Sequence, residues 1–399
     1  MKQYSLAKAL PVFMVFFVMG FVDIVGTATS NIKTDFNLSG TIAGLLPNFI
    51  FVWFLICSIP TGLMMRRIGR KTTVQISNII TVLGMLTPLP MVIGWMAPNI
   101  VLYLITFALL GIGNTMIQVA LNPLLTNIVP QERLTSSIAL GQFVKAISSL
   151  LGPQIVLFAT IQLGNWSSVF LIYAAVTFIS MLWLMATSIP REEEDKTQEA
   201  SFGKTFGLLK DNHLLQMFIC ILLIVGIDVG MNFFIPEIFG KVYSHEKPSG
   251  MNTLYFAARA VGTFICAMML TRISARKIFV WTMVASIVAY LTMMFLALTP
   301  TTNVAPQVIF CLLFLPVGFA TGNVFAIVFS FAMQHKPEKA DLISSLLIMG
   351  VAGGGAITLL MGAVSDALGI VGGMSVLLVC MIYIFFISLK LIKQKNEVN

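Results

Sequence analysis

The chain has 399 residues, 58% of them hydrophobic and only 10% charged, and its mean hydropathy is +0.94. Soluble domains carry roughly 25% charged residues, so a water-soluble globular fold is excluded and lipid is the solvent to reason with. The formal charge of +8 would suit a nucleic-acid binder, but the basic residues are distributed loop by loop, which argues against that partner.

A helix that crosses a bilayer needs about 20 mostly apolar residues. Twelve such runs follow one another, at 8–30, 43–65, 73–96, 99–127, 134–161, 167–188, 213–238, 250–271, 276–298, 305–333, 341–363 and 370–392. They predict an all-α membrane protein with almost no chain left for a soluble domain. The first run, which contains FVMGFVDIVGTATS, is too long for a signal peptide, carries Asp23, and lacks a small-residue cleavage site before the next polar loop. It is expected to stay in the membrane.

Run 2 ends in GLMMRRIGRK, residues 62–71, which concentrates four basic residues in one loop. Run 4 carries Asn114, Gln118 and Asn122, four residues apart each time and so on one helical stripe, with Pro123 just beyond. Run 5 carries Gln142 and Lys145, three apart. Between runs 6 and 7, from Arg191 to His213, lies the longest hydrophilic stretch, REEEDKTQEASFGKTFGLLKDNH. It predicts two domains, 1–190 and 213–399, joined by a cytoplasmic linker at 191–212. Its Gly203-Lys204-Thr205 is not a phosphate loop, because that motif needs a glycine where Gln198 stands.

Run 7 spaces Asp228 and Asn232 four apart, and run 8 does the same with Tyr255 and Arg259. The five cysteines sit singly inside apolar runs, so neither a disulfide framework nor a zinc site is indicated. No cofactor is implied, and no HExxH, GxSxG or paired-histidine constellation suggests an enzyme.

Nineteen of the 24 Lys and Arg residues fall in alternate loops and at the two ends, against three in the opposite loops (Lys33, Lys241, Lys247). The positive-inside rule then puts both termini in the cytoplasm of a multi-pass protein of the cell inner membrane.

Features also recur along the chain. VDIVG around Asp23 returns as IDVG around Asp228, 205 residues later, and Arg67-Ile68 returns as Arg272-Ile273 at the same offset. VPQERLTSS returns as KPEKADLISS, Pro130 to Pro337, 207 residues on. Three matches in order at one spacing indicate a duplication. Two pseudo-symmetric six-helix bundles repeated about the membrane normal are the plan of the major facilitator fold, whose substrates bind near the midplane.

Charges at bilayer depth cost about 2.5 kcal/mol or more, so they face interiors and mark pathways. The clear ones are Asp23, Lys145, Asp228 and Arg259, which sum to zero. Lone Asn or Thr residues also serve simply to hydrogen-bond a neighbouring helix. A purely structural ion pair is readily replaced by apolar packing, so the four charges carry the functional expectation.

GIGNTMIQVALNPLLTNIVP (111–130) followed by LGQFVKAISSLLGP (140–153) resembles the fucose:proton and glucose/galactose branch of the major facilitator superfamily. That branch has Q-V-A-x-N-P or E-x-A-x-N-P in its fourth span and a Q-x-F-N-like segment in its fifth. The resemblance covers the first half through motifs and the second mainly through topology. It implies proton-coupled uptake of a hexose or related monosaccharide by alternating access, with sugar, protons and the lipid bilayer as partners and a monomeric transporter.

By position in that family, Asp23 is the span 1 acid and Gln118 the span 4 residue that contribute to sugar binding and proton coupling. Asp23 would then carry the proton with Lys145 as its partner. Asn114, Gln118, Asn122 and Gln142 would meet sugar hydroxyls, with Asp228, Asn232, Tyr255 and Arg259 as the matching set of the second half. Lys145 stands where the family has asparagine, and Arg66 where the superfamily loop has an acid. The first departure opens an alternative in which Lys145 and Arg259 clamp a sugar acid or other organic anion. Drug export is a further alternative, which the 24 methionines would suit.

Overall fold

The computed structural model describes residues 6–38, 40–190, 201–243 and 251–396, and among them every regular element is helical. In lipid a helix satisfies all its backbone hydrogen bonds within one segment, which is why uninterrupted apolar runs fold this way. The crossing helices are α1 (Lys8–Asp35), α2 (Leu45–Ile68), α3 (Arg70–Val92), α4 (Ile100–Thr126), α5 (Leu134–Gln162) and α6 (Ser168–Ala186). They continue with α7 (Asn212–Asn232), α8 (Met251–Met269), α9 (Ala275–Leu298) and α10 (Val304–His335). A last continuous stretch, Pro337–Leu391, spans 55 residues.

That stretch departs from helical geometry at Gly369, where φ is 76°, and so supplies two crossings, α11 (337–368) and α12 (370–391). Ten segments among the described residues reach both the length and the apolarity of a crossing, the 55-residue stretch counted once. The 19-residue α8 is long enough but not among them, because Asn252 and Arg259 lower its apolarity. Of the expected linker, 191–200 lies outside the described residues, and Phe202–Gly207 is a short helix.

α1 runs past the apolar run to Asp35 through the polar sequence TSNIKTD. Ser30, Asn31 and Thr34 each return a side-chain hydrogen bond to the carbonyl four residues earlier, at 3.0–3.3 Å. Trp166 Nε1 then donates to Asp35 at 2.8 Å, anchoring that end.

The chain forms two compact units. The first comprises Met1–Leu134, Val144–Leu209 and Lys336–Met349; the second comprises Thr135–Phe143, Lys210–His335 and Gly350–Asn399. Each unit thus takes up the opening turns of a helix whose remainder belongs to the other, α5 in one case and α11 in the other.

In the first unit the loop GRK is an organising element. Arg70 Nε pairs with Asp341 Oδ1 at 2.8 Å, while its Nη1 donates to the Pro123 carbonyl, Thr126 Oγ1 and Asn127 Oδ1 at 3.1, 2.8 and 2.6 Å. Lys71 Nζ donates to the Met185 and Thr187 carbonyls at 3.1 and 2.7 Å. Two helix C-termini, those of α4 and α6, so have their orphan carbonyls and negative dipole ends met by cations. The acid missing from the loop, where Arg66 stands, is supplied instead by Asp341 at the start of α11.

Candidate functional site

In the first unit α1 tightens into a 3-10 turn at Gly20–Ile24, and Asp23 lies in it, half-buried. A Cβ at position 20 would lie 2.5 Å from the Lys145 carbonyl oxygen and 2.7 Å from Ser148 Cβ. Only a glycine lets α1 lie this close to α5. The approach delivers Asp23 to Ser149, whose Oγ donates to Asp23 Oδ2 at 2.5 Å and also lies 3.1 Å from the Lys145 carbonyl oxygen.

Lys145 is buried, yet among the described residues no ion pair joins it to Asp23. The expected pairing is therefore absent here. The tight crossing at Gly20 presents the backbone carbonyl of Lys145 to α1, and the residue one turn further on, Ser149, meets the carboxylate.

Asn114, Gln118 and Asn122 of α4 are all buried. Asn114 Nδ2 donates to the Met19 carbonyl at 2.8 Å, at the edge of the 3-10 turn, and Gln118 Nε2 donates to Asn114 Oδ1 at 2.7 Å. Asn122, one turn on, has a buried amide oxygen with no hydrogen-bond partner. Leaving such an atom unpaired costs about 1–3 kcal/mol, so it is a natural place for a ligand donor.

In the second unit four residues converge. Arg259 Nη1 is 3.0 Å from Asp228 Oδ2, the Tyr255 hydroxyl donates to Asp228 Oδ1 at 2.9 Å, and Asn232 Nδ2 donates to the Asp228 carbonyl at 2.9 Å. Thr321 of α10 joins them, its Oγ1 2.9 Å from the Tyr255 oxygen. The amide oxygen of Asn232 is buried and without a hydrogen-bond partner. Immediately past Asp228 the helix widens into a π turn, Gly230–Phe234, a distortion common at functional sites. Gln142 is buried and belongs to this unit, while Lys145, three residues later, belongs to the other.

Sequence spacing missed Ser149 and Thr321. Ser149 lies four residues after Lys145, which is a weak signal, and Thr321 sits inside GFATG (318–322), whose small residues mark a close helix contact. A Cβ on Gly322 would come 2.4 Å from Thr263 Cγ2 and 3.2 Å from Arg259 Cγ, so this motif is what holds α10 against the Arg259 face of α8.

Residues 12–359 match the Major Facilitator Superfamily. The chain belongs to that superfamily. As a superfamily member it is a membrane transporter and not an enzyme. It is 23% identical to a glucose/galactose transporter of Brucella abortus, over 97% of this chain and 94% of that protein. It is 21% identical to the L-fucose-proton symporter of Escherichia coli, over 84% of this chain and 81% of that one. A crystal structure of the E. coli fucose:proton symporter FucP superposes with a TM-score of 0.79 at 17% identity, covering 97% and 98% of the two chains. At that identity the likeness establishes the fold.

Proposed function

We propose that this superfamily member takes up a neutral monosaccharide together with a proton by alternating access, with Asp23 as the proton carrier. The observation that carries this is the contrast between the two repeat-related acids. Asp228 is held by Arg259 and Tyr255, and protonating it would break its ion pair with the arginine. Asp23 accepts a hydrogen bond from a neutral hydroxyl and has no ion pair among the described residues, so it can take or release a proton without breaking one.

Sugar recognition falls to amides and hydroxyls: Asn114, Gln118, Asn122 and Gln142, with Asn232 and Tyr255. The unpaired oxygens of Asn122 and Asn232 accept from sugar hydroxyls. Lys145 lies beside the Asp23 cluster through its backbone carbonyl at Gly20, and Arg259 is ion-paired with Asp228. The names of the relatives, glucose/galactose transporter and fucose-proton symporter, support the substrate class. The division into halves at 1–190 and 213–399, joined by 191–212, a cytoplasmic placement of both termini in the inner membrane, and a monomeric state complete the reading. The bias of basic residues among the loops supports the orientation.

The test is transport in proteoliposomes with galactose and glucose. Asp23→Asn abolishes accumulation driven by a pH gradient while counterflow exchange of the same sugar continues. Uphill accumulation by the Asn variant would sink the assignment. If glucuronate and not galactose raises the melting temperature of the detergent-solubilised protein, the substrate is an anion instead.

A further inference from the structure

Outside the polar clusters, the second unit carries an apolar groove of about 400 Å³, within the ~300–1,000 Å³ range of ligand pockets. α8 and α9 both rest on α10, and the groove has Pro316 and Phe319 of α10 as its floor, Met269 of α8 on one side, and Ile278, Trp281 and Thr282 of α9 on the other. The Thr282 hydroxyl is engaged by the carbonyls of Ile278 and Phe279, at 2.9 and 3.0 Å. What enters therefore meets hydrocarbon and no unpaired hydroxyl.

Between Met269 and Ile278, both of which line the trough, the chain turns through Thr271–Ser274 and carries three cations, of which Arg276 is half-buried and within electrostatic range of His213 of α7. Arg272 lies three residues after Met269, and Arg276 and Lys277 immediately precede Ile278. Arg272 and Lys277 are exposed, and among the described residues none of the three is in an ion pair. Hydrocarbon lining joined in the chain to a cluster of cations matches the two parts of an anionic amphiphile. Basic pockets between membrane helices attract anionic lipid headgroups.

We propose that this groove is a binding site for an anionic phospholipid, with an acyl chain along α9 over Phe319 and the phosphate among Arg272, Arg276 and Lys277. A zwitterionic lipid fits the trough but gains little from the three charges, and an uncharged apolar compound gains nothing from them.

Trp281, 55% exposed, reports occupancy directly. The chain is reconstituted in phosphatidylcholine nanodiscs with Trp53, Trp95, Trp166 and Trp183 replaced by Phe. Phosphatidylglycerol or phosphatidylcholine with brominated acyl chains is then titrated in as quencher. Brominated phosphatidylglycerol is expected to quench Trp281 at a several-fold lower mole fraction, and the difference to vanish in Arg272→Gln/Arg276→Gln/Lys277→Gln. Equal quenching by the two lipids, or a preference that survives the neutralisation, overturns the proposal. Should the four-Phe background fail to fold, native mass spectrometry of the unaltered protein decides. Retained phosphatidylglycerol that is lost in the triple Gln variant supports the site, and retention of zwitterionic lipid alone refutes it.

Discussion

Arg259 and Tyr255 reach Asp228 from the same face of α8, one on each carboxylate oxygen, so that acid is both neutralised and fixed in orientation. Replacing Arg259 by Gln leaves a poorly solvated carboxylate with, among the described contacts, the Tyr255 hydroxyl as its donor. The loss is expected to be about 3–5 kcal/mol, as for one partner of a buried pair, read as a lower melting temperature in detergent. Adding Asp228→Asn removes the stranded charge, and because the two side chains are in contact their effects are not additive. The double variant should recover most of the lost stability, and a double variant that melts below the single one would show that the pair is not a unit. Asp23, its repeat mate, shares none of this apparatus, and sequence similarity between VDIVG and IDVG could not reveal the difference. The partners come from α8 in one case and α5 in the other.

Two helices leave ideal geometry where it matters, α1 at its 3-10 turn and α7 at its π turn, each within two residues of a repeat-related acid. Their apolarity was legible from composition alone, and the run boundaries for α4 and α5 agree with the helices to within a residue, whereas α1 continues past its apolar run to Asp35. The distortions were not legible, because they follow from what the helix is packed against. Gly20 is the clearest instance. Its missing Cβ would meet a backbone carbonyl, which cannot swing aside as a side-chain tip can. Gly20→Val should therefore force α1 away from α5 at a cost of about 1–3 kcal/mol, typical of overpacking, and break the Asp23–Ser149 bond. A melting temperature equal to that of the parent would show that α1 slides without penalty.

Over the whole chain, the duplication and the twelve crossings define a plan, but membership of the compact units does not follow chain order. Lys336–Met349 joins the first unit, tied there by Asp341 to Arg70 and by Ser344 Oγ to the Val119 carbonyl at 2.6 Å. Among the contacts described, Arg70 donates four hydrogen bonds, one of them to Asp341, so Arg70→Gln should destabilise by about 3–5 kcal/mol, as for one partner of a buried pair. Asp341→Asn should cost about 1–3 kcal/mol. The reverse ranking in thermal unfolding would mean that the helix-end carbonyls contribute little to the network.

By itself the sequence determined what lipid dictates: that the chain folds into apolar crossing helices, and which stretches of it they occupy. Each of these depends on composition and on spacing within one helix, over at most a few turns. Tertiary structure decided who meets whom. Ser149 instead of Lys145 takes Asp23 across 126 residues of chain, Thr321 joins Tyr255 across 66, and Asp341 supplies across 271 the acid that the loop before α3 lacks. Those pairings turn on how closely two helices can approach and which turns then face each other, which for Asp23 and Thr321 is set by the absent side chains of Gly20 and Gly322.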